Sequence, residues 1–112
     1  MNSILKDGEV FTLKNLLPYQ DGKIVNMDLI DQEKDKDKLK LTVMSFAAGT
    51  ALPEHTISAE ALLCALDGEA VISYAGKEHT IHAGENFKFA KGVTHSVRAA
   101  KPFKMALLTT LE

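Results

Sequence analysis

Residues 84–95 read Gly-Glu-Asn-Phe-Lys-Phe-Ala-Lys-Gly-Val-Thr-His, a short apolar segment between two glycines, followed by a histidine. These glycines belong to a longer series, because Gly68, Gly76, Gly84 and Gly92 recur every eight residues. Short strands separated by glycines at this spacing are typical of a β-sandwich or β-barrel and not of β-α-β units. The stretch therefore predicts an all-β fold.

Seven apolar segments between turn signals are predicted to be strands, since period-two placement of apolar residues suits a sheet with one buried face. Asp-Gly pairs, among them Asp67-Gly68, are predicted to form turns. The charged run from Asp31 to Lys40 is predicted to be an exposed hairpin loop. Leu13 to Pro18 is predicted to hold a short helical turn that the proline ends. The strands are Ile24 to Ile30, Leu39 to Ala47, Ala70 to Tyr74, Glu78 to Ile81, Asn86 to Ala90, His95 to Ala99 and Phe103 to Thr109.

One segment favours a helix on local evidence. Residues 58–66 read Ser-Ala-Glu-Ala-Leu-Leu-Cys-Ala-Leu, in which Ser58 is a suitable N-cap and Gly68 a suitable C-terminal glycine. Local propensity is a weak guide that tertiary context overrides. From these residues alone a helix is slightly favoured over a strand, and both stay open.

The composition restricts the class of protein. The chain has 112 residues, of which 46% are hydrophobic and 25% are charged, and this is ordinary for a single globular domain. A net charge of -2 without a basic stripe argues against a nucleic-acid partner. No apolar run approaches the roughly 18 residues that span a bilayer, and the N-terminus lacks the apolar region of a signal peptide. Cys64 is the only cysteine, so we expect a buried, unreactive side chain and a cytoplasmic protein.

The histidines are the candidates for chemistry. His55 and His95 lie forty residues apart, and each follows a turn that contains glycine or proline. Two imidazoles and a carboxylate at the mouth of a barrel would form a ligand set for a divalent transition metal. From the spacing alone, histidines that bind no metal are the commoner explanation. His79 and His82 point in opposite pleat directions, and we expect exposed or edge positions without a site role.

Two stretches resemble the two motifs of the cupin family. Residues 49–68 are similar to the first motif, which reads glycine, five residues, His-x-His, three or four residues, glutamate, six residues and glycine. Residues 84–95 are similar to the second, which reads glycine, five residues, Pro-x-Gly, two residues and histidine. The similarity is best over 39–109. It implies an antiparallel jelly-roll β-barrel with both motifs at one open end, and it makes residues 61–66 a strand.

The resemblance also implies site residues. In metal-binding cupins both motif histidines are ligands, which points to His55 and His95 with Glu60 as the carboxylate. Ile57 stands where the first motif has its second histidine, and on a strand it would share the face of His55 and line the pocket. Glu60 lies one residue early, and Ala90 replaces the proline. The resemblance therefore leaves two outcomes: one divalent transition metal (iron, manganese, nickel, copper or zinc) on a reduced ligand set, or none.

Three functions stay open. The first is a binding module that holds a small organic ligand in a histidine-lined pocket. The second is a metal-dependent enzyme, such as a dioxygenase or isomerase. The third is a structural or regulatory partner, since the resemblance implies a homodimer. We expect the whole chain, 1–112, to form one cupin domain, with N-terminal strands and an extension in 1–38. The sequence does not decide whether the protein is an enzyme.

Overall fold

Eight strands and one short 3₁₀ turn make up the part of the chain that the computed structural model describes, residues 5–32 and 38–111. Every strand pairing is antiparallel, which confirms the predicted all-β class. In this part of the chain, no helix has the length and apolarity that crossing a membrane requires. The elements are the 3₁₀ turn Leu13–Asn15 and the strands β1 (Ile24–Gln32), β2 (Lys38–Phe46), β3 (Thr50–His55), β4 (Ala59–Tyr74), β5 (Lys77–His82), β6 (Asn86–Phe89), β7 (His95–Ala99) and β8 (Phe103–Leu111).

The strands follow the order β1-β2-β8-β4-β7-β3, and β5 and β6 also pair with β4. The long strand β4 joins two sheets. Its first part, residues 59–68, pairs with β8 and β6 in what we call the first sheet, which β1 and β2 complete. Its second part, residues 69–74, pairs with β5 and β7 in the second sheet, which β3 completes. The two sheets curl into the predicted barrel.

β4 contains the segment that locally favours a helix. Ala59, Ala61, Leu63 and Ala65 are buried at every second position, as a strand with one buried face requires. Pairing with β8 and β6 supplies the backbone hydrogen bonds that a helix would otherwise make internally. Tertiary context therefore overrides propensity, and the strand that the family resemblance implies is confirmed.

The turn predicted at Asp67-Gly68 is wrong, because both residues lie inside β4. The register against β8 shifts between Ala65 and Asp67, a β-bulge at the point where the strand passes from one sheet to the other. Gly68 has a φ of 75°, and a Cβ there would lie 2.0 Å from the carbonyl oxygen of Pro102. The Asp67 carboxylate accepts a hydrogen bond of 2.5 Å from the Tyr19 hydroxyl. The sequence Asp67-Gly68 thus marks a bulge and not a turn, and both structures favour glycine at positive φ.

Other boundaries also differ from the predictions. Thr50 to His55 form strand β3, which was not among the predicted strands. The charged run from Asp31 to Lys40 is loop only in part, since β1 extends to Gln32 and β2 begins at Lys38; residues 33–37 lie outside the described residues. Backbone pairing between the ends of the two strands accounts for this extension. The helical turn predicted within Leu13 to Pro18 is confirmed as the 3₁₀ turn Leu13–Asn15, which ends before Pro18 and not at it.

Two apolar clusters among the described residues stabilise the fold. Between the sheets, Phe46, Phe89 and Phe103 are each at most 2% exposed, and each buried aromatic side chain contributes about 1.5–3 kcal/mol. On the outer surface of the first sheet, the N-terminal segment (residues 5–17) packs through Leu17 onto a second cluster. Cys64 is half-buried and packs against this outer cluster. The N-terminal segment therefore covers the outside of the first sheet and leaves the interior of the barrel to the site.

Candidate functional site

His55 and His95 lie side by side on neighbouring strands of the second sheet. They are direct cross-strand partners of β3 and β7, and their ring centroids are 4.4 Å apart. The ring of His95 also contacts the ring of Phe89, and the distance between these two centroids is likewise 4.4 Å. Although the two histidines are forty residues apart in sequence, strand pairing brings them into one site.

A β-bulge gives His55 its direction. Leu52 pairs with Val97 and His55 pairs with His95, so β3 advances three residues where β7 advances two. On a regular strand, side chains three positions apart point to opposite faces, and the extra residue restores Leu52 and His55 to the same face. Both line the cavity described below. Pro53 lies in the bulge, where its missing N–H is tolerated.

Each imidazole is held by a backbone carbonyl two residues earlier in the chain. The Nδ1 of His55 lies 2.8 Å from the Pro53 oxygen, and the Nδ1 of His95 lies 3.1 Å from the Val93 oxygen. Since a carbonyl oxygen only accepts, Nδ1 carries the hydrogen in both rings. In the neutral rings, the Nε2 lone pairs are therefore available to a ligand.

His95 is buried, with 6% of its surface exposed. Burial lowers the pKa of His95 from its usual value, the hydrogen bond to Val93 opposes the shift, and the charge of His55 adds to the lowering. The ring is therefore neutral at neutral pH. A neutral ring with Nδ1 protonated presents Nε2 as a hydrogen-bond acceptor or a metal ligand.

The two histidines line a cavity of about 380 Å³ between the sheets. The second sheet contributes Leu52 and Val97 beside the histidines, and the first sheet contributes apolar side chains such as Met105. Ala59 and Ala61 point inward from β4, and their small size leaves this space open. The remaining lining residues are Asn26, Asp28, Lys40, Thr42, Met44, Ile57, Ser58, Phe89, Leu107 and Thr109.

The other two predicted site residues occupy different environments. Ile57 lines the cavity, but from the loop between β3 and β4 and not from a strand, because β3 ends at His55. Its carbonyl accepts a 2.9 Å hydrogen bond from the Gly92 N–H and so links the two motif regions. Glu60 points out of the barrel, with its side chain 52% exposed and 2.9 Å from the Nζ of Lys88. The structure therefore does not bring Glu60 to the histidines.

The residues present fit a metal ion only in part. The bond from Nδ1 to a carbonyl oxygen is the arrangement that orients metal-binding histidines. Within residues 5–32 and 38–111, however, no group of three or more His, Cys, Asp or Glu side chains is placed to hold a metal. Two imidazoles fall short of the three protein ligands usual at catalytic zinc or non-haem iron. The donor set is thus incomplete without ligands from another source.

The remaining histidines lie outside the cavity lining. His79 is half-buried against the ring of Phe87, with centroids 5.1 Å apart. His82 is exposed and lies 3.3 Å from a Glu69 oxygen and 3.1 Å from a Glu85 oxygen. Neither residue lines the cavity.

The sequence motifs gave no indication of the polar side chains that β1 and β2 contribute to the cavity, Asn26, Asp28, Lys40 and Thr42. A signal was present, because Asn26 and Asp28 alternate with the apolar Val25 and Met27 in the predicted strand. Polar positions that alternate with apolar ones normally indicate a solvent-facing surface. Here the apolar side chains pack under the N-terminal segment, and the polar ones face the cavity.

The fold and site define a small β-barrel with a histidine pair in its cavity. The profile of the cupin domain matches residues 42–110, and the chain belongs to the cupin family. No functionally curated protein matches the sequence. Among solved structures, a conserved protein of unknown function from Streptococcus pyogenes is 21% identical with a TM-score of 0.89, and the match covers 100% of this chain and 96% of that one.

Two further structures are similar. A cupin superfamily protein from Desulfitobacterium hafniense is 20% identical with a TM-score of 0.88, over 96% of this chain and 95% of that one. A cupin 2 conserved barrel domain protein from Leptotrichia buccalis is 33% identical with a TM-score of 0.82. That match covers 89% of this chain and 47% of the longer protein. These similarities support the fold and the family.

Proposed function

We propose that the protein binds a small organic molecule in the barrel cavity, with His55 and His95 as polar contacts. One observation carries the proposal: two imidazoles from distant parts of the chain meet at a 4.4 Å centroid distance, each oriented by a backbone carbonyl. Oriented polar groups lose little freedom on binding, so more of the interaction energy contributes to affinity.

The rest of the cavity supports the same function. Its volume of about 380 Å³ falls within the range of small-molecule sites, and its wall combines apolar side chains with a few polar ones. Apolar surface supplies the driving force for binding, and the polar groups select the orientation. A ligand donor group that reaches Nε2 of either histidine would replace water there.

The experiment is a thermal-shift screen of metal-free protein against small organic compounds, with calorimetry on the hits. Loss of one hydrogen bond to the ligand costs about 1–2 kcal/mol, so we expect His55→Gln and His95→Gln each to weaken the Kd roughly 5- to 30-fold. His82→Gln is the matched control, since His82 lies outside the cavity lining, and it should leave the Kd unchanged. Hits that bind equally well to both cavity variants would contradict the proposal.

A metal-dependent cupin enzyme of the dioxygenase or isomerase kind is the second candidate. The Nδ1 hydrogen bonds favour it, because they present two Nε2 lone pairs in the manner of metal ligands. The incomplete donor set weighs against it. Elemental analysis of protein purified without added metal distinguishes the candidates. Near-stoichiometric metal that is lost in His95→Gln and kept in His82→Gln would favour the enzyme.

We further propose a cytoplasmic homodimer. The lone Cys64 is compatible with a reducing compartment, and β1 ends the strand order, with one side unpaired among the described strands. Open strand edges favour pairing with a second copy. Light scattering coupled to size exclusion should give twice the chain mass of 12.2 kDa. A monomeric mass at all tested concentrations would contradict the dimer.

A further inference from the structure

A second polar group lies in the cavity, on the sheet opposite the histidines. Asp28 of β1 and Lys40 and Thr42 of β2 line the cavity from the first sheet, whereas His55 and His95 line it from the second. Met44, Met105 and Leu107 contribute apolar wall to the same space. The cavity thus has a polar anchor on each sheet and an apolar surface that a ligand body can contact.

The carboxylate of Asp28 is held in place. The hydroxyl of Thr42, a residue that is 8% exposed, donates a 2.9 Å hydrogen bond to Oδ1, and the Nζ of Lys40 lies 3.6 Å from Oδ2. The Asp28 side chain is still 42% exposed, so these contacts do not enclose it. A carboxylate offers about four acceptor sites on its two oxygens. Asp28 therefore keeps acceptor capacity on the cavity side.

The charges of the cavity balance. Among the described lining residues, the ionisable side chains are Asp28, Lys40, His55 and His95. Lys40 and Asp28 form an ion pair in which one positive and one negative charge sum to zero. A charged ligand would lose part of its hydration on entry without finding an unpaired opposite charge, and this loss disfavours it. An uncharged ligand avoids this cost.

We propose that the ligand is an uncharged molecule with an apolar body and two hydroxyl groups, one donating to Nε2 of the histidine pair and the other to Asp28. This inference rests on the proposed function and specifies its ligand class. Both anchors offer acceptor atoms: Nε2 of the histidines, whose Nδ1 atoms face backbone carbonyls, and the carboxylate oxygens of Asp28. Hydroxyl groups supply the donors that such acceptors bind, and an apolar frame suits the apolar wall.

The test compares three naphthalene probes by calorimetry at about pH 7.5, where ordinary imidazoles are mostly neutral. The probes are 2,6-dihydroxynaphthalene, 2-naphthol and 6-hydroxy-2-naphthoate. We expect the diol to bind roughly tenfold more tightly than 2-naphthol, because its second hydroxyl bonds to a charged acceptor. We expect the naphthoate to bind most weakly.

Asp28→Asn makes the test specific. The variant removes the carboxylate charge and leaves Lys40 without its ion-pair partner, so the diol should lose about tenfold in affinity and the anionic naphthoate should gain. Glu60→Gln is the matched control: it is the same change at a lysine-paired carboxylate outside the cavity lining, and it should alter neither affinity. Lys40→Gln is a second variant, and its affinity for the naphthoate should be lower than that of the wild-type protein.

The outcomes separate this inference from the proposed function. A naphthoate that binds wild-type protein best, a diol affinity unchanged in Asp28→Asn, or the absence of binding by all three probes would overturn the inference. If other ligands still depend on His55 and His95, the proposed function stands without it. Unfolding curves for each variant establish that it is folded before its affinity is compared.

Discussion

Replacing Gly68 by alanine tests the crossing of β4 from one sheet to the other. Gly68 has a φ of 75°, in the region that L-residues avoid, and an added Cβ would lie 2.0 Å from the Pro102 carbonyl oxygen and 3.1 Å from its carbon. These atoms are backbone at the Pro102–Phe103 junction, where β8 begins. They cannot move aside as the end of a flexible side chain can, so β8 or β4 must shift.

The expected loss of stability has two parts. The left-handed backbone conformation costs an alanine about 1–2 kcal/mol. Forcing a methyl group into filled space costs about 1–3 kcal/mol more. We therefore expect Gly68→Ala to lower the free energy of unfolding by about 2–5 kcal/mol. Urea unfolding followed by circular dichroism measures it, provided that the m-value is unchanged.

Gly76→Ala is the matched control for the steric part. Gly76 has a φ of 80°, yet no atom lies within 4 Å of its added Cβ. Its alanine variant should therefore lose only the conformational cost, about 1–2 kcal/mol. Equal losses in the two variants would refute the steric argument, and a Gly68→Ala protein as stable as wild type would refute both parts.

Three further predictions follow from contacts at and near the site. Burial lowers the pKa of His95, so the unfolded chain binds a proton at a higher pH than the folded protein does. The free energy of unfolding should therefore fall as the pH drops from 6.5 through the lower folded-state pKa. His95→Gln should remove this part of the loss in urea unfolding at several pH values, and an unchanged pH dependence would contradict the assignment. Tyr74→Phe removes the acceptor of the 3.2 Å hydrogen bond from the Ala90 N–H and should lower the unfolding free energy by about 0.5–1.5 kcal/mol, whereas no loss would mean that water replaces the hydroxyl. Glu60→Gln breaks an exposed ion pair with Lys88 and should change the unfolding free energy by less than about 1 kcal/mol; a larger loss would show that the pair is structurally important.

Much of the fold could be predicted from local pattern. The glycine spacing and the apolar segments indicated an all-β chain, and six of the eight strands begin within two residues of a predicted start. β3 was missed because Pro53 and Gly49 are turn signals, whereas in the structure the proline occupies a bulge. The first part of β4 could be predicted only through the family resemblance, because its alanines and leucines locally favour a helix. Pairing with β8 and β6 is what makes this segment a strand.

The candidate site divides in the same way. Motif spacing singled out His55 and His95, and the structure places them together. The same spacing selected Glu60, which the alternation of β4 directs outward beside the buried Ala59 and Ala61. It did not select Asp28, which meets Thr42 across a strand pair and lies outside the motifs.

The sequence alone determined the β-class, the family and the identity of the two histidines, because these depend on residue types and short spacings. Tertiary structure decided which side chains face the cavity. In a strand that direction alternates at each residue, and a single bulge reverses it, as it does between Leu52 and His55. Only the paired strands therefore reveal that a carboxylate on one sheet and two imidazoles on the other line the same cavity.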